Sequence, residues 1–276
     1  MPTLTRLFLA FACLLGAPFP AIADELPQDT NKIESLTVEE ARKLVAEVEG
    51  VSLSLDGLTT LDADTAKALT GFKGGEITLG SLTTLDADTA KALAEVKVDG
   101  LSLNGLTTLG ADTAKALAEF KGQAMSLDGL TTIDAATAKA LAEFKGWLSL
   151  NGLTTLDAEA AKALAEYKGI LLLNGLTTLD ANTAKALARF KGKEVWLDGL
   201  TTLDADTAKA LAEFKGQQLW LDGLQRASFG AVRALRQNPH IEMPNHWYLL
   251  RYEIAALVGT VVFVIMVGIV VWYSRR

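Results

Sequence analysis

One cysteine and two histidines are all that 276 residues contain of these types. Cys13 lies in an N-terminal apolar run expected to be cleaved away, which excludes disulfides, thiolate metal sites and a cysteine nucleophile from the remainder. His240 and His246 are six apart with Pro244 between them, a gap that does not suit a zinc-binding helix. There is no glycine-rich phosphate loop, no Gly-x-Ser-x-Gly elbow and no metal-ligand pair at helical spacing. Paired carboxylates are available everywhere, and their repetition argues against any one of them being special. No catalytic residue, metal or cofactor is therefore expected. Positive charge is also in short supply, with 26 Lys and Arg against 33 Asp and Glu and a net charge of -7. Loss of Arg6 with the N-terminal run takes this to -8 (-7 - 1). An acidic surface is a poor match for nucleic-acid phosphates, so no nucleic-acid partner is expected.

The two ends carry targeting signals. Arg6, the apolar run 7-LFLAFACLLGA-17 and the small-x-small stretch 21-AIA-23 have the pattern of a secretory signal peptide cut after Ala23. A lipoprotein signal at Cys13 is the weaker alternative, because Phe11-Ala12 is a poor lead-in and the run before it is short. From Ile254 to Val271 there is no charge, and Trp272 and Tyr273 extend the run to the length of about 20 residues that spans a bilayer core of about 30 Å. Trp247, Tyr248 and Tyr252 on one side and Trp272 and Tyr273 on the other form interfacial belts, and Arg275-Arg276 supply the positive-inside signal. A buried core helix is the alternative, but the run is apolar all round and terminal. The expected organisation is a signal peptide (1–23), a linker (24–35), a repeat domain (36–241), a juxtamembrane segment (242–253), a transmembrane helix (254–273) and a cytoplasmic tail (274–276). The chain is thus expected in a cell membrane, single-pass, with its repeat domain extracytoplasmic. Ala255 and Gly259 have small-xxx-small spacing, a weak hint of dimerisation.

What is abundant is repetition. Leu-Thr-Thr recurs at Leu58, Leu82, Leu106, Leu130, Leu153, Leu176 and Leu200, at spacings of 24, 24, 24, 23, 23 and 24 residues. A degraded copy, 224-LQRASFGAVRAL-235, follows, and 36-LTVEEARKLVAEV-48 precedes as a half copy without a strand. Self-similarity at this period with atypical ends is the mark of a capped solenoid. In each copy a triplet such as Leu53-Ser54-Leu55 alternates with period two and reads as a short strand. Asp-Gly or Asn-Gly follows as a turn, read as tolerating positive φ, and Leu-Thr-Thr-Leu continues extended. Asp-Ala-x-Thr-Ala-Lys-Ala-Leu-Ala then reads as a helix behind an Asp N-cap. In the last full copy Ala208, Leu211 and Phe214 are expected inward, Lys209 and Glu213 as a wet i,i+4 pair, and Gly216 as a left-handed residue past the helix end.

These residues resemble the leucine-rich repeat family, in its short bacterial forms of about 23 residues, over roughly 36–241. The resemblance rests on the period and on strand leucines such as those of 148-LSLNGL-153. It implies an α/β leucine-rich-repeat solenoid, with a parallel sheet on one face and short helices on the other, joined here to one C-terminal transmembrane helix. It also implies a bacterial envelope protein. One departure stands out: the family's asparagine, three positions after the second strand leucine, is a leucine such as Leu153. The Asp/Asn-Gly turns and the Thr-Thr rows are the candidates to satisfy the backbone in its place.

Specificity is expected where the copies differ. The outward strand residue runs Ser54, Thr78, Ser102, Ser126, Ser149, Leu172, Trp196, Trp220. Two positions earlier the row is Ser52, Glu76, Gly100, Ala124, Trp147, Ile170, Glu194, Gln218. Two positions later it is Asp56, Gly80, Asn104, Asp128, Asn151, Asn174, Asp198, Asp222. Trp147, Leu172, Trp196 and Trp220 beside Glu194, Gln218, Asp198 and Asp222 make the candidate ligand-binding surface, of a kind that suits a protein or polysaccharide ligand. Packing is the competing reading: an aromatic cross-strand pair stabilises a sheet by itself, and 236-RQNPHIEMPNHWY-248 is placed to fold over the patch. Calcium on the Asp/Asn row is disfavoured, because a ladder spaces oxygens along a line rather than around a point. Asp62, Asp86, Asp134, Asp157, Asp180 and Asp204 read as helix caps, interrupted at Gly110. Lys67, Lys91, Lys115, Lys139, Lys162, Lys185 and Lys209 read as a solvated face interleaved with Glu. The function expected is binding through the sheet face; the alternative is a structural spacer or self-associating envelope component, with an enzyme a distant third.

Overall fold

A computed structural model describes residues 29–244, apart from Glu49. The expected signal peptide and transmembrane helix, with Ala255, Gly259 and His246, lie outside the described residues. Among the described residues no helix is long and apolar enough to cross a membrane.

The described chain is an α/β solenoid. Strands β1 (Ser52–Ser54), β2 (Glu76–Thr78), β3 (Gly100–Ser102), β4 (Ala124–Ser126), β5 (Trp147–Ser149), β6 (Ile170–Leu172), β7 (Glu194–Trp196), β9 (Gln218–Trp220) and β11 (Ile241–Glu242) stack in that order into one parallel sheet. Eight such strands follow from the repeat. The ninth, β11, comes from the stretch expected to fold over the patch; it pairs Ile241 with Leu219 and Glu242 with Trp220 instead. A second, two-stranded ladder joins β8 (Thr202–Leu203) to β10 (Arg226–Ala227). The opposite face carries α1 (Val38–Glu47), α2 (Ala63–Ala68), α3 (Ala87–Ala94), α4 (Ala111–Leu117), α5 (Ala135–Leu141), α6 (Ala158–Leu164), α7 (Ala181–Leu187), α8 (Ala205–Leu211) and α9 (Phe229–Leu235).

One core runs the length of the stack. Leu53, Ile77, Leu101, Met125, Leu148, Leu171, Val195 and Leu219 face it from the strand centres, and Leu58, Leu82, Leu106, Leu130, Leu153, Leu176 and Leu200 from the next segment. No single coil could bury these side chains; each is covered by its neighbours in the adjacent coils. Ala208, Leu211 and Phe214 are buried as expected, whereas no ion pair joins Lys209 to Glu213 among the described residues. The core also reaches past its expected ends. Ile33 is buried, Asn31 accepts a hydrogen bond from Ser54, and Met243 is buried at the far end.

The helices start where aspartate places them. Asp62, Asp86, Asp134, Asp157, Asp180 and Asp204 each accept the backbone N–H three residues on, and Asp180 also takes that of Asn182. These bonds hold the Asp86, Asp134, Asp180 and Asp204 carboxyls below their ordinary range. Gly110 occupies the same place with no side-chain bond. At the N-terminal end Thr37 and Glu40 close a reciprocal capping box.

The helix-end glycines serve a purpose other than the one expected. None lies in the left-handed region; α8 ends at Leu211 with Ala212 still right-handed at φ -61 and ψ -17, so Gly216 is not a left-handed cap. Instead a Cβ on Gly216 would stand 2.5 Å from the Phe214 ring. The same ring-on-glycine contact recurs in other coils, at Phe72 with Gly74, Phe120 with Gly122 and Phe190 with Gly192. The buried rings stack, with centroids 6.2 Å apart for Phe120–Phe144 and 6.3 Å for Phe190–Phe214. The coil after β2 departs from this pairing: Val96 stands in the place of the ring and Val98 in that of the glycine, and both line a surface cavity of about 490 Å³.

Two outcomes are expected in thermal or urea unfolding. Asp134→Ala loses about 1 kcal/mol at neutral pH, and Gly110→Asp gains a few tenths, which is roughly the margin of Asp over Gly at an N-cap. Because the folded Asp134 pKa is lowered, its contribution is present above the unfolded value of about 3.8 and fades as pH falls through the folded one. Val96→Phe alone is overpacked and costs about 1–3 kcal/mol. Adding Val98→Gly recovers that loss, so the two changes couple favourably in a double-mutant cycle, which simple additivity would refute.

Candidate functional site

The sheet face is positioned by strand register, and the register places the expected rows in line. Ser54, Thr78, Ser102, Ser126, Ser149, Leu172, Trp196 and Trp220 are consecutive cross-strand partners, and Glu242 extends the row beyond Trp220. Sequence reasoning missed Glu242, although 241-IEM-243 alternates as 219-LWL-221 does.

Trp196 and Trp220 form the centre. Their rings stack with centroids 5.0 Å apart and planes 30° from parallel, and both are half-buried. Glu194 lies two residues before Trp196 on β7, on the same face. Its Oε2 accepts Nε1–H from Trp196 at 2.9 Å and from Trp220 at 3.2 Å. One carboxylate thus satisfies both indoles and fixes their planes, which an aromatic stack by itself does only loosely. Leu172 flanks Trp196 on β6, and Gln218 pairs with Glu194 across β9. Trp147 is not part of this stack. It stands two strands from Glu194, with Ile170 between them in register; Trp147 is 56% exposed and Ile170 only 7%.

The third row is a hydrogen-bond ladder. The Oδ1 of Asn104 accepts the backbone N–H of Asp128 at 2.9 Å, Asp128 that of Asn151 at 2.7 Å, and Asn151 that of Asn174 at 2.9 Å. Asn174 takes the N–H of Asp198 at 3.0 Å and Asp198 that of Asp222 at 2.9 Å. The turn residue therefore satisfies the next coil, not its own. Gly80 lacks a side chain and ends the rung begun by Asp56, which takes the Gly80 N–H at 2.7 Å. The Thr-Thr side chains are exposed, with the Thr154 hydroxyl reaching the Thr131 carbonyl at 3.5 Å, and other threonines supply a second ladder: the Thr113, Thr137, Thr183 and Thr207 hydroxyls donate to Leu85, Leu109, Leu156 and Leu179 carbonyls. The turn glycines, read as conformationally special, are again outside the left-handed region. A Cβ on Gly152 would fall 1.9 Å from the Asp128 carbonyl oxygen, so the coils approach too closely for any side chain there.

Asp198 sits under tension in this ladder. Burial raises its carboxyl above the ordinary 3.8, the Asp222 N–H opposes this, and the Asp222 charge adds to the rise. Among the described residues no group of three or more His, Cys, Asp or Glu is arranged to hold a metal ion. His240 Nδ1 lies 2.9 Å from the Gln217 carbonyl, which only a donor can bond, so that nitrogen is committed to the backbone. Of the lysine row, Lys162 is paired with Glu159 at 3.6 Å.

Asp198→Asn keeps the acceptor for Asp222 and removes the half-buried charge. A higher melting temperature is expected at pH 7, and the gain should vanish at about pH 3, where both forms are neutral. An unchanged melting temperature at neutral pH would show that the charge is not strained. No family model and no curated protein matches this chain.

Proposed function

We propose that this chain is an exported, membrane-anchored leucine-rich-repeat protein that binds a protein or glycan ligand on its sheet face. In this reading residues 1–23 are the signal peptide, 254–273 the single span and the solenoid the extracytoplasmic part. The chain binds and does not catalyse. The observation that carries the reading is the Glu194 bridge. A carboxylate that holds two stacked indoles in fixed planes preorganises a flat aromatic ledge, and preorganisation lowers the entropy lost on binding. Asp198 and Asp222 on one side and Gln218 on the other supply orienting polar groups. Five hydroxyl-bearing positions precede the ledge in the same row, so the face changes character along the stack while the helices hardly change.

A spacer reading has its own support. The coils are nearly identical, and the same stack and bridge stabilise two adjacent strands without any ligand. The two are separated by displaying the full-length chain in nanodiscs on an array of bacterial glycans and peptides, beside the Trp196→Ala/Trp220→Ala double variant. Binding expects captured features to weaken at least tenfold in the variant, the loss typical of a central aromatic contact worth over 1 kcal/mol. An empty array favours the spacer, and capture that the double variant leaves unchanged overturns the ledge as the binding surface.

A further inference from the structure

The two short repeats make a notch. Ala124 pairs with Trp147 and Trp147 with Ile170, 23 residues apart in each case, whereas Gly100 with Ala124 and Ile170 with Glu194 are 24 apart. The missing residue is the one between the ring-contacting glycine and the strand. It is Gln123 before β4 and Lys193 before β7, but nothing separates Gly146 from Trp147 or Gly169 from Ile170. The rim therefore drops for two coils and rises on either side.

The backbone stays closed across the dip. Trp147 donates to the Gln123 carbonyl at 2.7 Å, Ile170 to Gly146 at 3.2 Å and Lys193 to Gly169 at 2.9 Å. Gly146 and Gly169 carry no side chain, and the carbonyl of the preceding coil together with the Phe144 or Tyr167 ring stands where one would begin. A Cβ on Gly169 would stand 2.0 Å from the Gly146 oxygen, so none fits. Beside the dip lies a surface cavity of about 430 Å³, within the range of small-ligand sites. Exposed Trp147 forms one wall, and Lys121, Lys145 and Lys193 line it against a single carboxylate, Glu143. Net positive charge beside an exposed indole, on a chain that is acidic overall, is a local reversal. None of Trp196, Trp220 and Glu194 lines the cavity, although Lys193 directly precedes Glu194.

We propose that this notch binds an acidic saccharide, with a sugar ring against the Trp147 face and its anionic group at the lysines. Indole faces take the C–H face of a pyranose by dispersion, and three ammonium groups at one rim favour an anion. The test is titration calorimetry of the full-length chain in detergent micelles with tetragalacturonate, neutral galactotetraose and inorganic phosphate. Tetragalacturonate should bind at least tenfold more tightly than the neutral tetramer and weaken as salt rises from about 50 to 200 mM. Trp147→Ala should weaken it at least tenfold, Lys145→Gln with Lys193→Gln should erase the preference for acid, and one glutamine inserted between Gly146 and Trp147 should abolish binding by filling the notch. Trp196→Ala with Trp220→Ala should leave it intact, which separates this site from the ledge. Equal affinity for acidic and neutral tetramers, phosphate binding as tight as the uronate, or retention by Trp147→Ala overturns the proposal. Should Trp147→Ala fail to fold, the lysine pair and the insertion decide it.

Discussion

Everything in this solenoid depends on how closely one coil lies on the next. Adjacent strands in a parallel sheet sit about 4.8 Å apart, and the turn following each strand is drawn in as tightly. At Gly152 and Gly223 the carbonyl of the preceding coil occupies the place a side chain would need. Glycine there is required by crowding, not by an unusual φ. Once the turns are pressed together, equivalent side chains meet, and interactions possible once become possible at every level. The Asx ladder, the threonine ladder and the stacked rings are three such series.

A frame this regular turns each departure from it into a local feature. Val96 and Val98 replace the ring and the glycine in one coil, and Gly80, with no side chain, leaves a gap in the ladder. Tyr167 in place of phenylalanine spends its buried hydroxyl on the Gly146 carbonyl at 2.7 Å, and burial pushes that phenol well above its ordinary range. Loss of one rim residue in two successive coils recesses the edge beside Trp147. Replacement of serine by tryptophan in two successive strands yields the ledge. The helices buttress all of this and vary least, because their inward faces must fit an unchanging core.

Features set within one coil were legible from the chain itself. The strand leucines and the six aspartate caps each depend on residues at most four apart, where propensity and hydrogen-bond reach are known. The rows of the sheet face were legible too, since a fixed period with constant strand length fixes register. What escaped depends on contacts a whole repeat apart. The direction of the Asx bonds, the role of the turn glycines and the threonines that donate to the preceding coil are all of this kind. Glu242 escaped because β11 follows Trp220 by 22 residues without the Leu-Thr-Thr phrase that marks the other coils. Trp147 faces outward as read, and the covered Ile170 stands in register between it and Glu194.

The near-identity of the coils carries a consequence for folding. During folding, a strand that docks one coil out of step meets almost the same leucines, caps and ladder partners as in the native stack, so local contacts barely penalise the slip. The irregular levels break that degeneracy. Two coils of 23 residues shift one rim relative to the coils of 24, Val96 and Val98 stand together in a single coil, and Asn31 with the Thr37–Glu40 box closes one end only. The idiosyncrasies of the repeat thus act as indexing marks that tell an otherwise periodic chain which coil is which.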